Sequence, residues 1–564
     1  MKKSLLVIAL LGLGMSQAEA QCPAGQTEVT VSITTDNYGE ETSWTLTGLG
    51  GTPVYGSDGN LADATTVTDD VCVPDGAVII FTIFDSYGDG ICCQFGTGSY
   101  TVTAGGNTIV TGGEFETEVV TYFQTGTPVM LDVAALSIDL ASVVAQGNQV
   151  ISGSLRNFGT SAISAFTLNY SVDGGAPVSQ AVNAAIAVGG SYNYSHGTPW
   201  NATAGAHTIE VWASNLNGGT DGNSVNDMAS RAVNVATQSV DRVTVIEQFT
   251  SSTCPPCASL NNSFGPILAG QNTNTAGSNV AAIKYHLNYP SPGNDPSFNG
   301  DADARSDYYG VPGIPDLYID GKPMTANSAT YIQQQAARDA FVGLSVAYST
   351  IGNQINVSAN VTPYATFPGT HKLHIAIVEN SYNYAASTTT QDVFNYVQRK
   401  MLANAQGNNL TVLTGDQTQT INQTHSMVFG NPAQGNSNAW GNEMEDLTIV
   451  AFVQNNTTKD ILQAAFVPLA TNVGISENAL DQRLRVYPNP TEGLLNVQFE
   501  APLGGKAHIE VFNVLGDRVF EATRATAAGT QREVIDLSTF NSGIYFVNIT
   551  ADGVRASRKV TLNK

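Results

Sequence analysis

The sequence predicts a mostly β, multidomain protein in which β-sandwich modules flank one α/β domain. The chain has 564 residues, far more than one hydrophobic core organises, so we expect roughly four or five domains. It is rich in glycine and lightly charged, and many segments alternate apolar and polar residues in period two, a pattern typical of secreted β modules. Residues 238–343 differ because they combine buried-type strands with helix-compatible stretches.

Residues 1–20 have the pattern of a signal peptide. Two lysines precede an apolar run over residues 5–13, and Ala18-Glu19-Ala20 provides a small-x-small cleavage site, so the mature chain is expected to begin at Gln21. The residues before Cys22 lack a lipoprotein pattern, so we expect no lipidation. No other stretch approaches the apolar length of a membrane span, and the sequence predicts no transmembrane segment.

The charge is strongly acidic and unevenly distributed. The formal net charge is −24, which argues against nucleic acid and against anionic membranes as partners. Residues 475–564 contain ten basic and ten acidic residues, so the excess of acidic residues belongs to the body of the protein. The C-terminal ninety residues therefore form a compositionally separate domain.

The first module, residues 21–127, is predicted to be a small β module stapled by disulfides. Cys22, Cys72, Cys92 and Cys93 are its cysteines, and in an exported protein we expect them to form structural disulfides. Three pairings are possible, and a Cys92–Cys93 bridge would need a strained vicinal ring. The module resembles an uncharacterised cysteine-bearing module attached to secreted bacterial proteins.

Two related turns in this module, at residues 36–39 and 85–90, suggest a possible calcium loop. Asp85 and Asp89 could offer oxygen ligands to Ca²⁺, with Gly90 making the sharp turn. Tyr87 stands where a calcium loop would have a third oxygen-bearing side chain. The alternative is ordinary Asp/Gly turn chemistry at the end of a strand.

Residues 128–237 show short strands separated by Gly/Asn turns, for example at 167–172 and 207–212. This spacing predicts a seven-stranded immunoglobulin-like β sandwich. The segment resembles the adhesion-type repeats of bacterial surface proteins. We expect it to act as a spacer, with a ligand site as the alternative.

Residues 238–343 carry the one chemical motif of the chain. Cys254 and Cys257 follow the strand-like run 243–249, and an Ile-Pro pair occurs at 314–315. A C-x-x-C pair at a strand-to-helix junction, followed by such an Ile-Pro, is similar to the thioredoxin-like layout. Cys254 would attack, Cys257 would resolve, and Pro315, in a predicted cis bond, would shape a peptide-binding edge.

Two departures from the thioredoxin pattern weaken the case for fast redox turnover. Gln248 stands six residues before Cys254, where thioredoxins usually have a carboxylate, and the adjacent Glu247 should face the opposite side of its strand. Thr253 precedes Cys254 where many relatives have tryptophan. The alternative is a permanent Cys254–Cys257 disulfide that fastens the start of the helix. A zinc site is disfavoured, since His286 is the nearest further candidate ligand.

Residues 344–470 return to strands and, with the preceding domain, resemble the outer membrane protein twenty-eight-related family. The motifs that carry the resemblance are Tyr-Gly-Val-Pro-Gly-Ile-Pro at 309–315, Ile-Asp-Gly at 319–321, His-Ile-Ala-Ile-Val-Glu at 374–379, Val-Gln-Arg-Lys-Met-Leu at 397–402 and Val-Ala-Phe-Val-Gln-Asn at 450–455. The resemblance implies a surface-exposed, thioredoxin-like protein of a diderm bacterium.

Residues 475–564 predict a compact β sandwich whose turns are set by proline and glycine. Pro-Asn-Pro at 488–490, Gly493 and the Gly-x-Tyr at 543–545 occur in order. The segment resembles the type A C-terminal sorting domain of the type IX secretion system. That resemblance implies recognition by the outer-membrane export machinery, usually followed by cleavage, with the passenger left on the surface or in the medium.

Two functions are compatible with these features. The first is a type IX-exported thiol-disulfide oxidoreductase acting on extracellular proteins through Cys254 and Cys257. The second is a non-enzymatic surface protein whose β modules bind a host protein or glycan and whose C-x-x-C disulfide is structural. The residue pattern predicts no cofactor other than the possible calcium ion, and it contains no hydrolase or nucleotide-binding motif.

Overall fold

The computed structural model describes residues 22–290, 293–384, 389–430, 440–441, 443–469, 484–501, 505–526, 529–551 and 554–564. The chain forms two compact units, Met1–Leu469 and Ala470–Lys564. The predicted signal peptide lies outside the described residues. Among those residues, no helix combines the length and the apolar character needed to cross a bilayer.

The first module is a sandwich of two four-stranded sheets with orders β4-β1-β6-β7 and β3-β2-β5-β8. Val29, Val31 and Ile33 of β1 are buried and their neighbours in the strand are not, as period-two patterning predicts. Trp44 and Phe81 fill the space between the sheets. The strands are β1 (Gln26–Thr34), β2 (Thr42–Gly48), β3 (Val54–Gly59), β4 (Thr66–Pro74), β5 (Val78–Asp85), β6 (Ser99–Ala104), β7 (Asn107–Gly112) and β8 (Glu118–Gln124).

The second module is also a β sandwich, with a five-stranded sheet β10-β18-β17-β13-β14 facing a three-stranded sheet β15-β12-β9. Its strands are β9 (Val133–Ile138), β10 (Val143–Val144), β11 (Gly147–Gln149), β12 (Ser152–Asn157), β13 (Phe166–Val172), β14 (Val178–Val182), β15 (Ser191–Ser195), β16 (Trp200–Ala202), β17 (Gly205–Ser214) and β18 (Met228–Val235). The immunoglobulin-like class is confirmed. The strand number exceeds the predicted seven because β10, β11 and β16 are pairings of two or three residues.

The segment around the cysteine pair has the order strand, helix, strand, helix, strand, strand, helix. These elements are β19 (Thr244–Thr250), α1 (Pro255–Gly270), β20 (Val280–His286), α2 (Gly300–Tyr309), β21 (Asp316–Ile319), β22 (Lys322–Pro323) and α3 (Ala329–Ala336). β19 is parallel to β20 and antiparallel to β21. Apolar residues of α1 and α3 pack on one face of the strands and those of α2 pack on the other.

This small sheet does not stop at the predicted domain boundary after residue 343. β20 pairs in parallel with β26, and the sheet continues through β25 and β31 to β32, giving nine strands in all. The remaining elements are β23 (Val342–Ile351), β24 (Gln354–Pro363), β25 (His371–Asn383), β26 (Val393–Leu402), β27 (Asn408–Asn409), β28 (Gln419–Ser426), β29 (Val428–Phe429), β30 (Trp440–Gly441), β31 (Leu447–Asn455) and β32 (Ile461–Pro468). Every residue of β20 is buried, so its outer backbone groups need a partner strand rather than water.

A three-stranded sheet of β23, β24 and β28 covers one face of this large sheet. Val357 of β24 shares a core with Ile375 of β25 and Ile449 of β31. The cysteine pair therefore belongs to a wide, nine-stranded sheet. Residues 238–343 are one part of that layer and do not form a separate globule.

The C-terminal unit is a β sandwich of a three-stranded sheet, β33-β34-β37, and a four-stranded sheet, β36-β35-β38-β39. Its strands are β33 (Arg485–Tyr487), β34 (Leu494–Ala501), β35 (Gly505–Asn513), β36 (Arg518–Thr526), β37 (Gly529–Asp536), β38 (Gly543–Ala551) and β39 (Val554–Leu562). Val497, Ile509 and Val547 are buried in its core. The prediction of a mostly β protein is confirmed.

Candidate functional site

The cysteine pair lies at the N-terminus of α1, where the two sulfurs form a disulfide. Cys254 is the N-cap residue, and its Sγ accepts a hydrogen bond of 3.2 Å from the Cys257 amide. Pro255 and Pro256 occupy the first turn, where a missing N–H costs no helical bond. The two prolines thus favour a helix that begins directly after Cys254, which places both cysteines at the helix N-terminus.

Access to the pair is narrow and unequal. Cys254 exposes 2% of its surface and Cys257 none, so Cys254 is the sulfur nearer to solvent. The carbonyl oxygen of Ile314 lies 3.9 Å from Cys254 Sγ, and the Ile314–Pro315 bond is cis, as the sequence predicts. Pro315 is half-buried beside this carbonyl. The structure therefore brings together the three residues selected from the sequence.

A buried polar layer lies between α1 and the sheet. Asn261 Oδ1 accepts hydrogen bonds from Gln248 Nε2 at 2.9 Å and from Lys284 Nζ at 2.7 Å. Gln248 and Lys284 are register partners on β19 and β20. Burial lowers the pKa of Lys284 to about 7. Lys284 was not among the residues predicted from the sequence, although a lysine inside the apolar run 280–285 is a usable signal.

A histidine-aspartate pair supports the loop before Cys254. His286 Nδ1 lies 2.8 Å from Asp295 Oδ2, which also accepts from the Ser252 amide at 2.7 Å. Burial alone would raise the pKa of Asp295, but the charge and hydrogen bond of His286, with the amides of Ser252 and Ser297, hold this pKa below its usual value. Sequence reasoning named His286 as a possible zinc ligand and missed Asp295, which lies in an irregular segment.

Glu247 faces the side of the sheet away from the cysteines, as strand alternation predicts. Its Oε1 lies 2.7 Å from Arg305 Nη2 and accepts a 2.9 Å hydrogen bond from the Tyr285 hydroxyl. Burial and the Glu247 charge raise the pKa of Tyr285 well above its usual value. This carboxylate is therefore committed to Arg305 and does not serve the cysteine pair.

In the first module, the predicted calcium residues lie together with a third carboxylate. One oxygen each of Glu41, Asp85 and Asp89 lie within 4.8 Å of one another. Burial and the negative charges of Asp85 and Asp89 raise the pKa of Glu41. Three carboxylates fit the hard-oxygen preference of Ca²⁺, so the residues present suit the ion. Sequence reasoning missed Glu41 because it lies on a separate segment.

The turn chemistry considered as the alternative is also present. Asp85 Oδ1 accepts from the Tyr87 amide at 2.7 Å, and Asp36 Oδ1 accepts from the Tyr38 amide at 2.9 Å. Gly90 adopts φ +71°, and a Cβ there would lie 2.6 Å from the Phe115 oxygen. The two turns are therefore built alike, and only the Asp85 turn adds the carboxylate cluster.

The first-module cysteines pair as Cys22–Cys72 and Cys92–Cys93. Cys72 lies on β4, so the first bridge joins the N-terminal segment to an outer strand of its sheet. The second bridge joins sequence neighbours. These are one of the three pairings that the sequence allowed.

Comparison with known proteins identifies the last domain. Residues 485–563 match the family model of the secretion system C-terminal sorting domain. The C-terminal unit is a type IX sorting domain. This confirms the expectation from the sequence and indicates an exported protein that ends at the cell surface or in the medium, with the secretion machinery as its partner.

The other comparisons are less specific. No curated protein matches the chain significantly. Among solved structures, a domain of the outer membrane lipoprotein Omp28 from Porphyromonas gingivalis is 15% identical over 23% of this chain and 89% of that one, with a TM-score of 0.16. A tetra-tandem repeat of a large adhesion protein is 12% identical over 95% of both chains, with a TM-score of 0.17. A CARDB domain from Pyrococcus furiosus, in complex with di-metal ions, is 14% identical over 20% of this chain and 94% of that one, with a TM-score of 0.16.

Proposed function

We propose that this type IX-sorted protein exchanges thiols and disulfides with extracellular proteins through a thioredoxin-like domain. The observation that carries the proposal is the Cys254–Cys257 disulfide at the start of α1, with the Ile314 carbonyl 3.9 Å from Cys254 Sγ. The strand order β22-β21-β19-β20, with helices on both faces, is compatible with that fold. The motifs shared with the outer membrane protein twenty-eight-related family support the same assignment.

The exchange proceeds in two balanced steps. With the pair reduced, the Cys254 thiolate attacks a disulfide sulfur of the partner protein, forming a mixed disulfide and releasing the other partner sulfur as a thiolate. Cys257 then loses its proton and attacks Cys254 Sγ, which closes the Cys254–Cys257 bond and releases the second partner sulfur. Two electrons pass from the cysteine pair to the partner. With the pair oxidised, a dithiol partner drives the same steps in reverse.

The helix favours the first step. The N-terminus of α1 carries a partial positive charge, which stabilises a thiolate at the N-cap position. The Cys257 amide already points at Cys254 Sγ. Cys254 is therefore the attacking sulfur and Cys257 the resolving one. Pro315 and the Ile314 carbonyl form the backbone surface against which an extended partner segment would lie.

The reduction potential of the Cys254–Cys257 pair tests this proposal. The full chain is equilibrated with glutathione buffers, the redox state of peptide 254–257 is measured by alkylation and mass spectrometry, and insulin reduction is followed in parallel. We expect a potential above about −300 mV and measurable turnover. Cys254→Ser should abolish turnover, whereas replacement of both Cys22 and Cys72 by serine should leave it unchanged. A potential below about −300 mV without turnover would refute the proposal.

The second candidate is a surface binding protein for a host protein or glycan. The observations that favour it are the 2% exposure of Cys254 and the amide of Gln248 where a carboxylate is usual. In this case the disulfide only fastens α1, and the β modules carry the binding surfaces. The potential measurement separates the two candidates, because a purely structural bridge resists reduction by glutathione.

A further inference from the structure

The resolving step needs a group that exchanges a proton with Cys257, and Gln248 is not suited to that task. A neutral amide does not take up a proton near pH 7. The nearest carboxylate in sequence, Glu247, faces the opposite side of the sheet and is paired with Arg305. The proton-exchanging group must therefore be found among the side chains that face α1.

Lys284 is placed on that face. Asn261 lies four residues after Cys257 on α1, so the two side chains lie on the same side of the helix, one turn apart. Lys284 Nζ donates to Asn261 Oδ1 at 2.7 Å. Its amine therefore contacts α1 at a side chain one turn from the resolving cysteine and on the same side of the helix.

The amine of Lys284 is buried and has no oppositely charged partner among the described residues. No ion pair with a carboxylate is found for it there, and only 4% of the residue's surface is exposed. Burial, the sole cause of its shift, lowers the pKa of Lys284 to about 7. An amine with this pKa takes up and releases a proton under ordinary extracellular conditions.

The other groups around Lys284 do not compete for this task. α1 carries no charged residue. On β19, Gln248 and Thr250 face α1 and are not titratable in this range, and Tyr396 on β26 has its pKa raised by burial. His286, two residues further along β20, is held by Asp295 in a buried pair. The Oε1 atom of Gln248 is buried without a hydrogen-bond partner, so the layer also holds an unused hydrogen-bond acceptor.

We propose that Lys284 is the proton carrier for Cys257 during thiol-disulfide exchange. This inference rests on the proposed function. When the disulfide closes, the Cys257 S–H proton passes to the neutral Lys284 amine, and the Cys257 thiolate attacks Cys254 Sγ while the partner sulfur leaves. When the disulfide opens, the Lys284 ammonium returns the proton to the Cys257 sulfur as it leaves. A lysine amine thus replaces the carboxylate that is missing at position 248.

The test follows the mixed disulfide that reduced full-length protein forms with oxidised glutathione. Quenching by alkylation and mass spectrometry locates the glutathione on Cys254 and gives the decay rate of the adduct between pH 5 and pH 9. We expect the wild-type rate to rise with an inflection near pH 7. In Lys284→Met the inflection should move to about 8.5, where an unassisted thiol ionises, and the decay at pH 7 should slow about tenfold.

Matched variants separate proton transfer from structure. Lys284→Gln keeps a donor for Asn261 but does not titrate, so it should share the Lys284→Met profile if the inference holds. Lys400→Met removes a half-buried lysine of the same sheet, paired with Asp301 at 2.7 Å, and should keep the wild-type inflection. Thermal melting confirms that each variant is folded.

Two outcomes would overturn the inference, and they are distinguishable. If folded Lys284→Gln decays with the wild-type pH profile, Lys284 carries no proton for Cys257, although the exchange function stands. If the wild-type protein forms no adduct on Cys254, or forms one that never resolves, the exchange function fails and this inference fails with it.

Discussion

Glu247 and Arg305 form an ion pair that is sealed from solvent, with both side chains fully buried and 2.7 Å between Oε1 and Nη2. The pair joins β19 to α2. Arg305 also donates to Gln454 Oε1 on β31 at 3.2 Å, and Tyr285 donates to the carboxylate. One charged cluster therefore connects the segment of the cysteine pair with the following β segment.

Removing the carboxylate from this cluster should destabilise the sheet strongly. Glu247→Gln leaves the Arg305 charge buried without its counter-ion, and breaking a buried pair in this way costs about 3–5 kcal/mol. Hydrogen exchange of peptides that cover β19, measured against urea concentration, gives the loss in the free energy of unfolding. The control is Asp460→Asn, which removes a half-exposed pair with Lys322 and should cost less than about 1 kcal/mol. Equal losses in the two variants would contradict the prediction.

The Cys22–Cys72 bridge should stabilise the first module by constraining its unfolded chain. The two cysteines are 50 residues apart, and a loop of this size corresponds to a loss of about 2–5 kcal/mol when the bridge is removed. Calorimetry of the variant with serine at both positions should show a lower melting temperature for this module. The Cys92–Cys93 bridge joins neighbours and closes no loop, so serine at both of those positions should cost less. The reverse ranking would refute the argument.

Calcium binding to the first module stays a prediction. We expect CaCl₂ to raise the melting temperature of the module, because a divalent cation relieves repulsion among Glu41, Asp85 and Asp89. Affinity should fall as the pH falls, because Glu41, whose pKa is raised by burial and by the nearby carboxylates, becomes protonated and loses its negative charge. Asp85→Asn should remove the calcium shift, whereas Asp36→Asn, which alters the sister turn, should keep it. Calorimetric titration showing no heat for the wild type would exclude the site.

Deletion of residues 485–563 should prevent export. The truncated protein is expected to accumulate inside the cell envelope and to be lost from the surface and the medium, as immunoblotting of cell fractions would show. The positive control is a periplasmic reporter carrying residues 475–564, which should be exported. Protein recovered from wild-type culture should lack the first twenty residues and the final domain by intact mass. Surface display of the truncated chain would contradict the prediction.

Local chemistry accounts for the start of α1, whereas a long-range pairing sets the end of α3. The helix that follows Cys254 begins at Pro255, since proline is tolerated in a first turn. The last helix of the segment, α3, ends at Ala336. The reason is that Ala340 exchanges two backbone hydrogen bonds with Val240, a long-range pairing that local propensity does not register.

Strand alternation predicted which side chains face the cysteines, but it did not predict which residues these side chains contact. It separated Glu247 from Gln248 correctly, because successive strand residues point to opposite faces. It did not predict that Arg305 would neutralise Glu247 or that Asn261 would hold Lys284. These partners come from helices whose docking on the sheet has no signature in the strand itself.

The sequence by itself determined the kinds of module, the position of the cysteine pair at a helix start and the sorting domain, because each depends on residues close together in the chain. The tertiary structure decided the Cys22–Cys72 pairing, the continuation of β20 into β26 and the contact between Lys284 and α1. Those features join distant segments, and their partners are selected by burial and by the need to satisfy buried backbone and polar groups. A local pattern indicates that such a group needs a partner, but only the tertiary packing determines which residue that partner is.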